Sequence, residues 1–295
     1  MLILTMDYKL LEAFAAVVEY GGFEKAADKL CVTQSAVSQK IKQLEEQSKS
    51  VLLVRSTPPV PTETGKILMA HYNKVKLLES DMESALHSGG DGFVSLCVGL
   101  NADTLATWFF DAVAETAVRN NILLSLRVDD QEETHRLLKD GEAAGCISTR
   151  SKPMQGCSVT YLGITTYRMY VAPHKQAEFF PDGFTTEALK KVPLIVYNNK
   201  DTLHLQLFKE AFGNKMPEYH AHYIPSVEKY LDAVVRGMGI GMMPHHQCDQ
   251  LLKEKRLADA ACPHRVETPL YWHRWNIRSK PLDIISKSLL DFCRV

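Results

Sequence analysis

The sequence predicts an α+β chain in three parts: a small helical headpiece with a strand pair, one long helix, and a larger body of alternating strands and helices. Three observations carry this. Residues 22–46, GFEKAADKLCVTQSAVSQKIKQLEE, read as two short helices around a tight turn. Residues 66–86 contain neither proline nor glycine. From Val94 onward, apolar strand-like runs alternate with helical periodicity, as in a sheet covered by helices.

The headpiece opens with an amphipathic helix carrying Leu10, Leu11, Phe14, Val17 and Val18. A second helix is expected over Phe23–Leu30, where the small Ala26 and Ala27 allow a close crossing and Leu30 and Val32 pack beneath it. Thr33 suits an N-cap, and a third helix runs from about Gln34 to Glu46. Val37, Ile41 and Leu44 recur at i, i+4, i+7 and so form one buried stripe. The opposite face carries Ser35, Ser38, Gln39 and Lys42, with Gln34 in the first turn. Gln and Ser can read base edges, and Lys can neutralise phosphate or reach guanine. Alone, the pattern also fits a solvated helical hairpin. Residues 51–62, VLLVRSTPPVPT, then read as a strand pair with a proline-rich tip, a wing that sets Arg55 beside a duplex backbone.

Net charge is −1, and the eight cations of residues 1–66 meet eight acids. This balance weighs against nucleic-acid binding, where phosphate neutralisation supplies much of the affinity. Lys40, Lys42, Lys49 and Arg55 nevertheless gather on or near the third helix and the wing.

The first 90 residues resemble the winged helix-turn-helix of LysR-type transcriptional regulators, through AADKLCVTQSAVSQKIKQLE, the LLVR strand and PTETG. The likeness spans the whole chain, down to GMGIGMMP at 237–244. More narrowly, NADTLATWF (101–109) and LYWHRW (270–275) resemble the ArgP subfamily, also described as inhibitors of chromosome replication initiation. The resemblance implies a DNA-binding domain over 1–63 that uses Thr33, Gln34, Ser35, Ser38, Gln39, Lys42 and Arg55. It implies a linker helix and hinge over 64–91, and an effector domain over 92–295 with a periplasmic-binding-protein-like fold. Subdomain I takes about 92–163 and 268–295, and subdomain II about 164–267. The implied partners are promoter DNA, a basic amino acid such as lysine or arginine, RNA polymerase and a second copy of the chain, as a homodimer or homotetramer. An effector-independent architectural DNA binder that restrains replication is the alternative.

In the long helix, Leu68, Val75, Leu78, Met82 and Ala85 form an apolar seam interrupted by His71. The seam predicts pairing with a copy of itself or packing against the headpiece. HSGGDG at 87–92 ends the helix as a hinge.

In the body, strands are expected at 94–100, 122–128, 143–148, 193–198, 219–224, within GIGMMP and at 269–273. Helices are expected at 103–118, 131–139, 202–212, 227–236 and 280–293. Two such α/β units joined by two crossovers leave a cleft. Ligands of open α/β sheets sit at the carboxyl ends of strands, which selects Asn101, Asp103, Thr104, Leu105, Asp129, Asp130, Ser148, Thr149, Asn198 and His245. Backbone N–H groups and the Thr104 hydroxyl could hold a carboxylate, and Asp129 and Asp130 could pair with a cation. Asp103 reads equally as a helix cap, and Asp129 and Asp130 as turn residues.

Hydrophobic content of 45% with 23% charged residues is that of a globular protein. No apolar run of about 18 residues marks a membrane span, and MLILTMDYK lacks the features of a signal peptide. Seven cysteines without CxxC spacing suggest core thiols in a reducing cytoplasm, with a redox pair as the lesser option. There is no GxSxG, HExxH or Walker-type loop, and GMGIG leads into a strand. The sequence therefore predicts no catalytic residue, metal or cofactor and not an enzyme, which stays only as the distant alternative.

Overall fold

The computed structural model describes residues 6–86, 92–130 and 134–294. The headpiece comprises α1 (Tyr8–Tyr20), α2 (Phe23–Lys29) and α3 (Gln34–Ser48), then β1 (Leu53–Val54) and β2 (Val60–Pro61) paired antiparallel. Asp7 caps α1 by accepting from the Lys9 N–H at 2.9 Å. Thr33 caps α3 by accepting from the Ala36 N–H at 3.2 Å. Phe14, Val17, Ala26, Val37, Ile41, Leu44 and Leu52 close a core that each helix enters with one face. Val32 does not join it. It lies in the turn between α2 and α3 and is exposed, and Leu30 packs at the core edge instead.

Side-chain hydrogen bonds fix the wing to both flanking helices. Glu45 of α3 accepts from the Leu52 N–H at 2.8 Å. Thr62 donates its hydroxyl to the Val51 carbonyl at 2.8 Å and accepts from the Gly65 N–H at 3.1 Å, so it caps the helix that follows. A Cβ on Gly65 would lie 2.3 Å from the Leu52 carbonyl oxygen. The glycine of PTETG is what lets the long helix start against the wing.

That helix is α4 (Glu63–Leu86), 24 residues or about 36 Å. Its inner face docks on the chain's own body. Asn73 donates to the Gly141 carbonyl at 2.7 Å, Lys66 pairs with Asp140 at 3.1 Å, and Asp81 accepts from the Lys280 N–H at 3.0 Å. Leu77 enters the body core and Met69 the headpiece core. Of the expected seam, Leu68 and Val75 are half-buried and Leu78 and Met82 are exposed. Ile67 and Leu86 extend the exposed apolar row. The Ala85 side chain, and the expected hinge except Gly92, lie outside the described residues.

The body continues with β3 (Val94–Leu100), α5 (Ala102–Thr107), α6 (Phe109–Arg119), β4 (Ile122–Val128), α7 (Thr134–Lys139), β5 (Gly145–Ser148) and β6 (Cys157–Val171). Next come α8 (Pro173–Phe179), α9 (Thr186–Leu189), β7 (Leu194–Val196), α10 (Leu203–Phe212), β8 (Ala221–Tyr223) and α11 (Val227–Val235). The chain ends with β9 (Ile240–Pro244), α12 (His245–Lys253), β10 (Ala258–Asp259), β11 (Val266–Trp275) and α13 (Lys280–Cys293).

Eight strands of the body lie on one path, β4-β3-β5-β11-β6-β9-β7-β8, and β10 pairs with β6 beside it. Parallel neighbours at each end, β4-β3-β5 and β9-β7-β8, make two α/β units. Between them β6 and β11 run antiparallel to each other and to their outer neighbours, so the sheet is mixed. These two long strands cross from one unit to the other, and the 163/164 and 267/268 divisions fall inside them. Their register slips between Leu270 and Tyr271, opposite Gly163, a bulge that bends the pair. One core, with Trp272, Leu96 and Phe109, fills the first unit, while Phe208 and Tyr170 belong to the two cores of the second.

Two further expectations change. The single helix over 103–118 is broken at Trp108 into α5 and α6, and the Trp108 ring stacks on Phe292 at 6.0 Å. Of the helix expected at 131–139, residues 131–133 lie outside the described residues.

Candidate nucleic-acid interface and ligand cleft

The first candidate site is the outer face of α3. Val37, Ile41 and Leu44 are buried, which forces the reverse side outward. Thr33, Gln34, Ser35, Ser38, Gln39 and Lys42 are all exposed, and so is Arg55 at the wing. The Thr33 and Ser35 hydroxyls lie 3.0 Å apart at the N-terminal end of α3. Among the described residues Lys42 has Glu46, 4.0 Å away and itself exposed, as its ionic neighbour, a pairing too weak to hold it. The surface therefore offers a row of donors and acceptors on one helix, with the exposed Arg55 guanidinium at the wing.

The second is a cleft of about 390 Å³ between the two α/β units, a volume in the range of small-molecule sites. Asn101 and Asp103 follow β3, Asp129 and Asp130 follow β4, and Tyr197 to Leu203 follow β7. Tyr230 of α11, Met242 and Met243 of β9 and Gln247 of α12 complete the wall. Asn198 donates to Asp130 at 3.1 Å, a hydrogen bond that links the two units across the cleft. Among the described residues four carboxylates line it, Asp103, Asp129, Asp130 and Asp201. Among the described lining residues the one cation is Lys200, 3.8 Å from Asp129 and 3.6 Å from Asp130.

Electrostatics differ among these acids. Burial raises the Asp103 carboxyl from 3.8 to about 6, and neighbouring Asp201 pushes the same way. The hydroxyl of Tyr167 opposes the shift by donating to Asp103 at 2.9 Å. Tyr197 is raised by burial and then by Asp103 and Asp130. Asp201 is engaged locally: its carboxylate accepts from the Tyr197 and Leu203 N–H groups. Tyr230 is held rigid, donating to the Ile195 carbonyl at 2.7 Å and accepting from the Met242 N–H at 2.9 Å.

Of the residues selected from the sequence, Asn101, Asp103, Asp129, Asp130 and Asn198 meet at this cleft. Thr104, Leu105, Ser148, Thr149 and His245 do not line it. Leu105, within α5, packs against the body core, and Thr104 is buried with its N–H donated to the Asn101 side chain at 3.2 Å. Ser148 is fully buried and its hydroxyl accepts from the Arg150 N–H. His245 is 2.7 Å from the Tyr170 hydroxyl and 3.6 Å from Asp249. The strand-end rule reaches Tyr197, Lys200 and Asp201, which the sequence reading stopped short of. Tyr230 and Gln247 lie on helices and carry no such signal.

Residues 8–66 match the bacterial regulatory helix-turn-helix protein, lysR family, and residues 95–290 match the LysR substrate binding domain. The HTH-type transcriptional regulator ArgP of Aeromonas salmonicida is 37% identical over 287 residues, which is 97% of this chain and 96% of that protein. The crystal structure of ArgP from Mycobacterium tuberculosis superposes with a TM-score of 0.86 at 33% identity, covering 98% of each chain. Full-length LysG of Corynebacterium glutamicum, whose structure holds bound effector Arg, superposes with a TM-score of 0.77 at 29% identity, again over 98% of each chain.

Proposed function

The chain belongs to the LysR family of bacterial regulatory helix-turn-helix proteins, and on that premise we propose that its cleft takes a basic amino acid, arginine or lysine, as its effector. It is a DNA-binding transcriptional regulator of the LysR type. The observation that carries the effector reading is the charge of the cleft: among the described lining residues four carboxylates stand against one ammonium in about 390 Å³. Such a wall favours a small ligand with excess positive charge. The arginine bound by LysG supports the same class. It also favours a ligand-responsive regulator over an architectural DNA binder.

The exposed strip of α3 would enter the major groove, with Gln34, Ser35, Ser38 and Gln39 at base edges and Thr33, Lys42 and Arg55 at or near phosphates. The exposed row Ile67, Leu78, Met82 and Leu86 on α4 would pair two chains, placing two headpieces on one DNA, and two dimers would make a tetramer. RNA polymerase is the expected further partner and the cytoplasm the expected compartment. No described helix is long and apolar enough to cross a membrane. The ligand acts by binding one cleft geometry better than another, since equal affinity for both would shift nothing.

A thermal-melting screen of the full chain against the twenty amino acids tests the effector class. Ligand at 100 times its Kd adds about 2.7 kcal/mol of stability. Arginine or lysine should raise Tm. A clear shift with another metabolite and none with either basic amino acid would reject the assignment.

A further inference from the structure

We propose that Lys200 is an exchangeable counter-ion that makes the cleft select basic amino acids over the corresponding diamines. The inference rests on the effector class proposed above and names the residue that refines it.

The geometry is a fixed stem with a loose head. The Lys200 N–H donates to the Asn198 side-chain oxygen at 2.7 Å. The next residue is held as well, since Asp201 donates its N–H to the same oxygen and caps Leu203. The backbone of the 197–203 loop is thereby set. The ammonium is not. It stands 3.6 and 3.8 Å from Asp130 and Asp129, beyond hydrogen-bonding distance, and its side chain is 63% exposed. Asp130 takes its direct hydrogen bond from Asn198 instead, at 3.1 Å. Lys200 is thus held at the carboxylate pair by charge alone, in a position from which it can swing.

Asp129 and Asp130 are also where a ligand cation would dock, so ligand and Lys200 compete for one pair of carboxylates. A diamine that wins this competition leaves Lys200 without a counter-ion. A basic amino acid supplies one, because its carboxylate offers the displaced ammonium a charge-assisted hydrogen bond. Among the described lining residues no other cation is present to meet that carboxylate. Selectivity for the carboxylate therefore resides in Lys200.

The test is calorimetric titration of the full chain with lysine against cadaverine, and with arginine against agmatine. Each pair differs by the carboxylate alone. The wild-type chain should prefer the amino acid by roughly tenfold or more, the scale of one hydrogen bond between charged groups. Lys200→Met should bring each ratio close to one, by weakening the amino acid and strengthening the diamine. Lys200→Arg should keep most of the preference. Lys200 is exposed, so neither variant should perturb folding. Equal wild-type affinity for amino acid and diamine overturns the proposal, as does a preference that survives in Lys200→Met. Both results leave the basic-ligand reading standing. Failure of all four compounds to bind the wild-type chain overturns that reading and this inference together.

Discussion

Replacing Asp103 with asparagine should make the protein more stable at neutral pH and a weaker binder at the same time. The Tyr167 hydroxyl donates to Asp103 at 2.9 Å, and an asparagine oxygen accepts the same bond. What the substitution removes is a charge held in a place where burial and Asp201 disfavour it. The carboxyl rises from 3.8 to about 6 on folding. Folding therefore takes up a proton between those two values. The associated stability is fully present below about pH 4 and is lost as pH rises through about 6. A shift of roughly 2 units corresponds to about 3 kcal/mol, an upper bound for a residue that keeps some exposure. Above pH 6, Asp103→Asn should exceed the wild-type chain by up to that amount in urea denaturation, and the gap should close below pH 4. Arginine affinity should move the opposite way. In the wild-type chain it should fall as pH drops through 6, and in the variant it should be lower and flat over the same interval. A variant less stable at pH 8, or a stability gap independent of pH, would refute the account of Asp103.

Three further outcomes are expected. If Lys42 touches a phosphate, Lys42→Ala should lower the salt slope of DNA binding by about one unit on every sequence. If it reads a base, discrimination at one position should relax by about 1–3 kcal/mol, and an unchanged isotherm removes Lys42 from the interface. Met82→Asp sets a carboxylate in the exposed α4 row and should shift sedimentation toward the monomer, whereas an intact dimer would place the interface elsewhere. Gly141 has φ +78° and a Cβ there would lie 2.2 Å from the Ala70 Cα. Gly141→Ala should therefore cost about 1–3 kcal/mol in denaturant unfolding by prising α4 from the body.

The headpiece was legible because its signals are local. One cap residue, three apolar positions at helical spacing and a strand pair with a proline-rich tip place the α3 face and the wing without any distant contact. The cleft was legible in part. Strand ends marked Asn101, Asp103, Asp129, Asp130 and Asn198, since sheet order alone delivers those positions to one edge. Sheet order could not foretell that α5 stops at Trp108, whose ring stacks on Phe292, 184 residues away in the chain. Strand β6 was missed for a related reason. Its polar and apolar residues alternate irregularly, as one strand serves two units with different buried faces and bends between them. Tyr230 lies on the buried face of α11 and reads as core until its hydroxyl is seen bridging β7 and β9.

The central claim is that one chain joins a DNA-reading helix to a cleft for basic amino acids. The most direct measurement is to sequence the genomic fragments retained by the full-length protein with and without arginine or lysine. A small set of promoter fragments whose occupancy or footprint changes with the amino acid is the predicted result. Uniform retention of AT-rich DNA, identical with and without ligand, would contradict it.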